Sequence, residues 1–298
     1  MKKIITLGIT LNDEQRQRLK EVAELEELEE PASIEDLVNK SDDADVLYSN
    51  GKYLLESLPL LKNVFVVYPF VELGPFNSEK LEKNGVFVAN SKGGNRDSIV
   101  EWTMFMILSL FRKIGPRIRA TENFPFELQE SLWNKKVLIV GNGSIGSKVG
   151  ESCRAFGMDV TFFNRGDDLT ISKEADLIIN ALNCNTSSKN LLNENFFMGL
   201  KKGSYYVTFV RPYTYDLNGL IKAIDSGIIS GAAIDCDPEN FGDTKNEFYL
   251  KAMSNEKILV TPHIAFSTKQ ASANGKEIAL QNIECFLKGK FDNVLKKK

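Results

Sequence analysis

The chain has 298 residues, of which 37 are basic and 40 are acidic, for a formal net charge of −3. This length favours two domains, and a composition that is 43% apolar and 26% charged is typical of soluble globular proteins. Apart from a lysine tail at 296–298 there is no basic stripe, which disfavours nucleic acid as a partner. The longest apolar run, residues 104–111, is far below the about 20 residues that span a bilayer, so we expect no membrane association.

The N-terminus and the cysteines favour a cytoplasmic location. MKKIITLGIT carries two lysines, but its apolar run is too short for a signal peptide, and we expect a first β-strand there. The cysteines are dispersed, with no CxxC pair and no histidine close by in sequence. We therefore predict neither a metal site nor a disulfide framework. They are Cys153, Cys184, Cys236 and Cys285.

Residues 1–90 alternate short apolar runs with amphipathic segments. The strand candidates are IITLGI, ADVLYS, VFVVYP and VFVAN, and between them lie the amphipathic segments DEQRQRLKEVAEL, SIEDLVNK and SEKLEKNG. This alternation predicts a parallel sheet flanked by helices.

Residues 95–114, NRDSIVEWTMFMILSLFRKI, predict one long and strongly apolar helix. Between Ser98 and Phe111 it has more apolar side chains than one helix face needs to pack on its own domain. A two-fold contact between subunits is the commonest way to cover such a surface, so we predict a homodimer. The stretch 115–133 lacks periodicity and is expected to be irregular. The apolar side chains are Val100, Trp102, Met104, Phe105, Ile107, Leu108 and Phe111.

A second alternating unit begins at KKVLIVGNGSIG. Its further strand candidates are DVTFF, ADLIINAL, SYYVTFV, GAAIDC and ILVTPHIA, with a helical segment LNGLIKAIDSG between two of them. The last helix, SANGKEIALQNIECFLKG, follows the only histidine of the chain. The pattern again predicts a parallel sheet with helices on its faces.

Gly141, Gly143 and Gly146 form a G-x-G-x-x-G pattern directly after a β-branched strand. The first glycine permits a tight turn, the second lets the backbone approach a pyrophosphate, and the third allows close packing of helix on strand. The N-terminus of the following helix then holds the anion. We predict a dinucleotide site here rather than a bare structural turn, and assign Ser144 and Ile145, between the glycines, to the cofactor.

The next strand candidate ends in FFNR, where an NAD-binding fold usually has an acidic residue on the ribose 2′-hydroxyl. Asn164 and Arg165 stand there instead. A neutral acceptor beside a guanidinium suits a 2′-phosphate, which predicts NADP(H) in preference to NAD(H). Asp167 and Asp168 follow closely and would oppose that preference if either carboxylate folds back toward the ribose.

From about residue 86 onward the chain resembles the D-isomer-specific 2-hydroxyacid dehydrogenase family. NSKGGNRDSIVE resembles the segment before the family's interdomain helix, and GNGSIG with the later FGMDV resembles its cofactor loop. SKNLLNENFFMGLKKGSYYVTFVR, GAAIDCDPEN and TPHIAFST resemble the segments that carry its catalytic arginine, acid and histidine. The resemblance implies Arg211, Glu239 and His263 as catalytic residues and Asp235 on the nicotinamide. We also assign Asn185 and Val210 to the cofactor.

The same resemblance implies an α/β fold of two doubly wound parallel-sheet domains. A Rossmann dinucleotide-binding domain, residues 91–267, would be inserted into a smaller flavodoxin-like substrate domain, residues 1–90 plus 268–298. The implied activity is hydride transfer from NAD(P)H to a 2-oxo acid, which gives the D-2-hydroxy acid. In the family the long apolar helix packs against a second subunit.

The residues suit this chemistry in their own right. The Arg211 guanidinium can hold a carboxylate and polarise the adjacent carbonyl. Histidine ordinarily titrates near neutrality, so His263 can donate the proton. A carboxylate on the far ring nitrogen, Glu239, would fix the tautomer and favour the imidazolium.

Several positions depart from the family pattern. Two residues, Pro212 and Tyr213, replace a pair of glycines after the arginine, and Phe266 replaces a small residue. The spacing from the nicotinamide-binding aspartate to Glu239 is one residue short, which leaves Asp237 as an alternative carboxylate. YPFVELG, residues 68–74, replaces a glycine-containing loop that binds substrate carboxylate in the family. The candidate substrate contacts in that loop are Phe70, Val71 and Glu72.

Two other functions remain open from the sequence. One is a non-catalytic, dinucleotide-sensing binding protein on the same scaffold. The other is a formate-type dehydrogenase, which needs no proton donor, so the arginine, glutamate and histidine together disfavour it.

Overall fold

The chain forms two compact units in a computed structural model that describes all residues except 72, 75, 120–125, 165, 237–241, 292 and 297–298, and the side chains of Pro116 and Arg119. One unit consists of residues 1–95 and 268–298, and the other of residues 96–267. Each contains a parallel sheet flanked by helices. The predicted fold class, α/β with two doubly wound parallel sheets, is confirmed.

The first unit contains a parallel sheet of five strands within its described residues. The strand order is β2-β1-β3-β4-β5, the order of flavodoxin-like sheets. In chain order the elements are β1 (Lys3–Leu7), α1 (Asp13–Lys20), β2 (Glu24–Leu28), α2 (Ile34–Lys40), β3 (Val46–Ser49), α3 (Leu54–Ser57), β4 (Phe65–Tyr68), α4 (Ser78–Lys83) and β5 (Phe87–Asn90).

Strand β2 lies where the sequence pattern indicates the end of an amphipathic segment. Helix α1 stops at Lys20, and the chain then pairs in parallel with β1 over ELEEL. Because β2 is the edge strand, its side chains are exposed or half-buried. An edge strand needs no continuous apolar run, which is why the sequence reading missed it.

Residues 91–95 belong to the first unit, whereas the sequence predicts them in the second domain. The hydroxyl of Ser91 donates to the carbonyl of Gly275 at 2.6 Å, and the side chain of Asn274 donates to the carbonyl of Gly94 at 3.4 Å. A Cβ on Gly94 would lie 3.2 Å from the backbone of Gly275. This close backbone packing ties the segment after β5 to the C-terminal helix.

The second unit contains a parallel sheet of six strands within the part of the chain that is described. In chain order its elements are α5 (Arg96–Phe111), α6 (Ile114–Arg119), β6 (Lys136–Val140), α7 (Ser144–Ala155), β7 (Asp159–Phe163), β8 (Leu177–Asn180), α8 (Glu194–Met198), β9 (Ser204–Thr208), α9 (Leu217–Asp225), β10 (Ile229–Asp235), α10 (Glu247–Met253) and β11 (Ile258–Thr261). The terminal helix of the first unit is α11 (Lys269–Leu287).

The order of the second sheet is β11-β10-β9-β8-β6-β7. The chain starts at β6, moves outward to β7, and then returns to β8 on the other side of β6. The direction of winding therefore reverses between β6 and β8. In doubly wound sheets, ligands bind beyond the carboxyl ends of the strands at such a switch point.

Both faces of this sheet are covered, because successive side chains of each strand enter different apolar clusters. Leu138 and Ile178 pack on one face with α8 and α9. Ile139 and Val207 pack on the other face with α5 and α7. Strands buried on both faces read as continuous apolar runs, which is why the sequence identified them.

Helix α5 ends at Phe111, and Lys113, with φ of 48°, separates it from the short helix α6. The helix predicted over 95–114 is thus confirmed over Arg96–Phe111 and ends three residues early, and α6 occupies part of the stretch expected to be irregular. Most of the apolar side chains of α5 pack into the core of the second unit, whereas Phe105 is 62% and Leu108 36% exposed. Among the described residues, no helix has the length and apolarity needed to cross a membrane.

Candidate active site

The glycine loop lies between β6 and α7, at the switch point of the second sheet. Gly141 has φ of 114°, and a Cβ on it would lie 2.5 Å from the carbonyl oxygen of Ala181. A Cβ on Gly146 would lie 2.1 Å from the carbonyl oxygen of Gly141. The first and third glycines are therefore required by the packing of the chain itself.

Gly143 differs from the other two glycines. It precedes α7 as its N-cap, and a Cβ on it would meet no protein atom within 4 Å. The packing of the chain does not require a glycine at position 143, whereas close approach of a pyrophosphate to the backbone does. Ser144 and Ile145 open α7, whose first N–H groups have no intrahelical partner and can bind an anion. The residues present thus fit a dinucleotide phosphate.

The residue after β7, Asn164, is exposed. Its backbone N–H donates to a carboxylate oxygen of Asp167 at 2.7 Å, and its carbonyl accepts from the N–H of Asp167 at 3.1 Å. This closed turn brings the acidic side chain back to the carboxyl end of β7. Asp168 instead caps the following turn by accepting from the N–H of Thr170. Arg165 lies outside the described residues.

The candidate cofactor residues after β8 and β9 are at the same edge of the sheet. The side chain of Asn185 accepts from the backbone N–H groups of Ser187 and Ser188, and so closes a turn. The N–H of Val210 donates to the hydroxyl of Thr208 at 3.3 Å.

Arg211 follows β9 and is exposed. Its carbonyl accepts from both the N–H and the hydroxyl of Thr214, at 3.2 and 3.1 Å. That hydroxyl also accepts from the buried side chain of Asn180, which ends β8. Asn180 therefore ties the arginine turn to the neighbouring strand, a role that no sequence motif indicates. Asp216 caps α9 by accepting from the N–H of Asn218, which is a structural role.

Asp235 ends β10 and is 4% exposed. One carboxylate oxygen accepts from the hydroxyl of Thr261 at 2.6 Å and the N–H of Ile264 at 2.9 Å, and the other accepts from the N–H of Ala265 at 2.8 Å. Burial raises the pKa of Asp235, while these hydrogen bonds and the nearby imidazole of His263 lower it in part. The carboxylate thus holds the turn after β11.

His263 occupies that turn with φ of 57°. The left-handed region is uncommon for a non-glycine residue and costs energy, and such strain clusters at functional sites. The N–H of His263 donates to the carbonyl of Thr261 at 3.1 Å. The imidazole is half-buried and lies edge-on to the ring of Phe266, 5.4 Å between centroids. The chain has no other histidine, and it stands at the carboxyl edge of the same sheet as the glycine loop.

The candidate substrate residues Phe70 and Val71 follow β4 in the first unit. The carbonyl of Phe70 accepts from the N–H of Ser91 at 3.0 Å, and that of Val71 accepts from the side chain of Asn90 at 2.5 Å. The ring of Phe70 is 40% exposed and lies 5.3 Å from that of Tyr68. Glu72, Asp237 and Glu239 lie outside the described residues.

Comparison with known proteins identifies the family. The model of the NAD binding domain of the D-isomer specific 2-hydroxyacid dehydrogenases matches residues 104–265, more than half of the chain. The chain belongs to this family. The predicted family is thereby confirmed, and the Rossmann unit is its NAD binding domain.

Similar proteins and solved structures agree with this family assignment. A D-lactate dehydrogenase of Staphylococcus epidermidis is 29% identical over 229 residues, which are 67% of this chain and 68% of that protein. A D-isomer specific 2-hydroxyacid dehydrogenase of Lactobacillus delbrueckii ssp. bulgaricus, in its NAD complexed form, superposes with a TM-score of 0.81 at 21% identity over 98% of this chain and 99% of that one.

A glyoxylate reductase of Paecilomyes thermophila superposes with a TM-score of 0.84 at 19% identity, over 99% of this chain and 98% of that one. At this identity the superpositions show the fold. The family match and the named relatives confirm the predicted enzyme class, an NAD-dependent 2-hydroxyacid dehydrogenase.

Proposed function

We propose that this dehydrogenase reduces a 2-oxo acid to the D-2-hydroxy acid, with His263 as the proton donor. The observation that carries the proposal is the turn after β11. There the only histidine of the chain is held by Asp235 in a left-handed conformation, at the sheet edge that also carries the glycine loop. A histidine with a strained backbone, in a turn held by a buried carboxylate at the ligand edge of a doubly wound sheet, fits an acid-base role.

Each side chain has a defined task in this reaction. When bound, the nicotinamide cofactor supplies the hydride to the carbonyl carbon. Arg211 binds the substrate carboxylate and polarises the carbonyl. His263 donates a proton to the carbonyl oxygen. The carboxylate of Asp235 attracts the protonated imidazole, and we propose that Glu239 hydrogen-bonds to it directly.

We further propose that the enzyme is a cytoplasmic homodimer. The dispersed cysteines support a reducing compartment. The exposed Phe105 and Leu108 on α5 support a subunit contact, because two adjacent apolar side chains on one helix face gain by being covered. For the cofactor, the sequence after β7 supports NADP(H) in preference to NAD(H).

A substrate panel tests the proposed reaction. Oxidation of NADH and of NADPH is followed with glyoxylate, hydroxypyruvate, phenylpyruvate and branched 2-oxo acids, and the product is resolved on a chiral column. We expect turnover with at least one 2-oxo acid and a product of the D configuration. A product of the L configuration, or binding of the cofactor without turnover of any 2-oxo acid, contradicts the proposal. The second result would favour a binding protein on the same scaffold, and turnover of formate alone would favour a formate-type enzyme.

A further inference from the structure

Trp102 contacts the strand before His263, although 159 residues separate it from its partner Thr261. The half-buried indole lies on α5 and donates its Nε1–H to the Thr261 hydroxyl oxygen at 3.1 Å. That hydroxyl donates to an oxygen of Asp235 at 2.6 Å. Because an indole N–H can only donate and a hydroxyl has a single proton, the direction of both hydrogen bonds is fixed.

Asp235 connects these two hydrogen bonds to the turn that contains His263. The oxygen that accepts from Thr261 also accepts from the N–H of Ile264, and the second oxygen accepts from the N–H of Ala265. These two residues directly follow His263. The strained backbone of His263, with φ of 57°, is therefore held on one side by Thr261 and on the other by the amides that Asp235 binds.

We propose that Trp102 is a positioning residue that fixes the orientation of His263 through Thr261 and Asp235. The proposal rests on the proposed function, in which His263 is the proton donor. The hydrogen bonds that start at Trp102 run through β11 and β10 to the turn that contains His263, so its effect is on the chemical step and not on the cofactor phosphates. β8, β9 and β10 lie between β6, which precedes the glycine loop, and β11, which precedes His263.

Removal of the indole N–H has a direct physical consequence. Without that donor, the hydroxyl of Thr261 is free to rotate and can direct its proton to another acceptor. Asp235 then loses an oriented donor in a buried place, where a hydrogen bond to a carboxylate is worth more than in water. The turn gains freedom, and the backbone of His263 relaxes from its left-handed conformation.

The test is Trp102→Phe, which keeps an aromatic ring and removes the N–H. The chain has two tryptophans, so Trp133→Phe is the matched control; its indole is 68% exposed and makes none of these hydrogen bonds. We expect kcat to fall about three- to tenfold in Trp102→Phe, as for loss of one hydrogen bond. The dissociation constant of the cofactor should stay within about twofold, because the glycine loop is unchanged.

A second variant separates the hydrogen-bond chain from simple packing. Thr261→Val keeps the shape of the side chain and removes the hydroxyl, so it should lower kcat in the same way. In the double variant the Trp102→Phe change should add nothing to Thr261→Val, because the indole acts through that hydroxyl. Full additivity of the two changes, or a Trp102→Phe enzyme that behaves like Trp133→Phe, overturns the proposal.

A readout without substrate distinguishes this inference from the proposed function. Amide hydrogen exchange of Ile264 and Ala265 should accelerate in Trp102→Phe and in Thr261→Val, and not in Trp133→Phe. If the wild type turns over no 2-oxo acid but the exchange changes as expected, the positioning role stands and the proposed function fails. Unchanged exchange at both amides overturns the positioning role, whatever the activity.

Discussion

The carbonyl oxygen of Gly141 lies 2.1 Å from the position that a Cβ would take on Gly146. No rotamer change relieves such a contact, because the obstacle is backbone. We therefore expect Gly146→Ala to lower the free energy of unfolding by about 1–3 kcal/mol, the usual cost of an overpacked site. Thermal unfolding measures this as a fall of several degrees in Tm.

The matched variant is Gly143→Ala. Its φ of −87° is open to alanine and no protein atom lies within 4 Å of the new Cβ, so stability should change by less than about 1 kcal/mol. The dissociation constant for NADH should nevertheless rise, because the methyl group stands where the backbone meets the pyrophosphate. Unimpaired NADH binding by folded Gly143→Ala would show that the cofactor phosphates lie elsewhere.

The fold was predictable where burial leaves a pattern in the sequence. Strand β6 is KVLIV and β8 is LIIN, and both are buried on two faces, so they read as uninterrupted apolar runs. Strand β2 is ELEEL at an edge of the other sheet, and its exposed glutamates leave no such run. The break after Phe111 was also missed, because it depends on the positive φ of Lys113 rather than on apolarity.

The candidate active site was likewise predictable only in part. The glycine loop and the TPH segment were found because their residues are close in sequence. The contact between Trp102 and Thr261 joins positions 159 residues apart, and within an apolar helix nothing marks the tryptophan as a hydrogen-bond donor. Asn180, which supports the arginine turn, was missed for the same reason: its partner Thr214 lies 34 residues away on another element.

Loss of the imidazole should abolish reduction of the substrate and leave cofactor binding unchanged. We expect His263→Ala to lower kcat about 10²- to 10⁴-fold, the usual effect of removing a general acid. NADH binding, followed by fluorescence, should stay near wild type, because the proton is transferred only at the substrate carbonyl.

His263→Asn is the companion variant, since asparagine adopts the left-handed backbone more readily than alanine. It should fold with an unchanged turn and be equally inactive. An enzyme with either substitution that keeps most of its kcat refutes the role of His263.

The exposed face of α5 predicts a dimer that a single charge can dissociate. Phe105 is 62% exposed and Leu108 is 36% exposed, while their neighbours on the helix pack into the core. At micromolar concentration, light scattering should give the mass of a dimer for the wild type. Phe105→Glu should shift it toward the monomer, because a buried carboxylate at the contact has no partner.

The control for the dimer is Leu250→Glu on α10. Leu250 is 52% exposed, and α10 packs through Ala252 on the opposite face of the sheet from α5. This substitution adds the same charge and should leave the mass unchanged. A wild-type mass equal to that of one chain at these concentrations contradicts the predicted dimer. If the wild type is a dimer and Phe105→Glu has the same mass, the subunit contact does not involve this face of α5.

The sequence after β7 predicts a preference for NADPH, measured as the ratio of kcat/KM for NADPH to that for NADH. Arg165→Ala should lower this ratio, because charge-assisted hydrogen bonds to the 2′-phosphate are worth about 1.5–3 kcal/mol, or roughly ten- to a hundredfold. Solvent screening at an open pocket edge reduces that figure. Asp167 opposes the preference: its carboxylate accepts from the N–H of Asn164 at 2.7 Å and so carries its negative charge back to the end of β7.

Two aspartates then provide a matched pair. Asp167→Asn should raise the ratio of kcat/KM for NADPH to that for NADH, because it removes repulsion of the 2′-phosphate. The amide oxygen of the new side chain can still accept from the backbone N–H of Asn164. Asp168→Asn should leave the ratio unchanged, since that carboxylate accepts from the N–H of Thr170 and caps the next turn. An NADH preference in the wild type, or a ratio that Arg165→Ala does not alter, shows that Arg165 does not select the cofactor. Equal shifts in the two aspartate variants would show that general charge, rather than the turn at Asn164, sets the ratio.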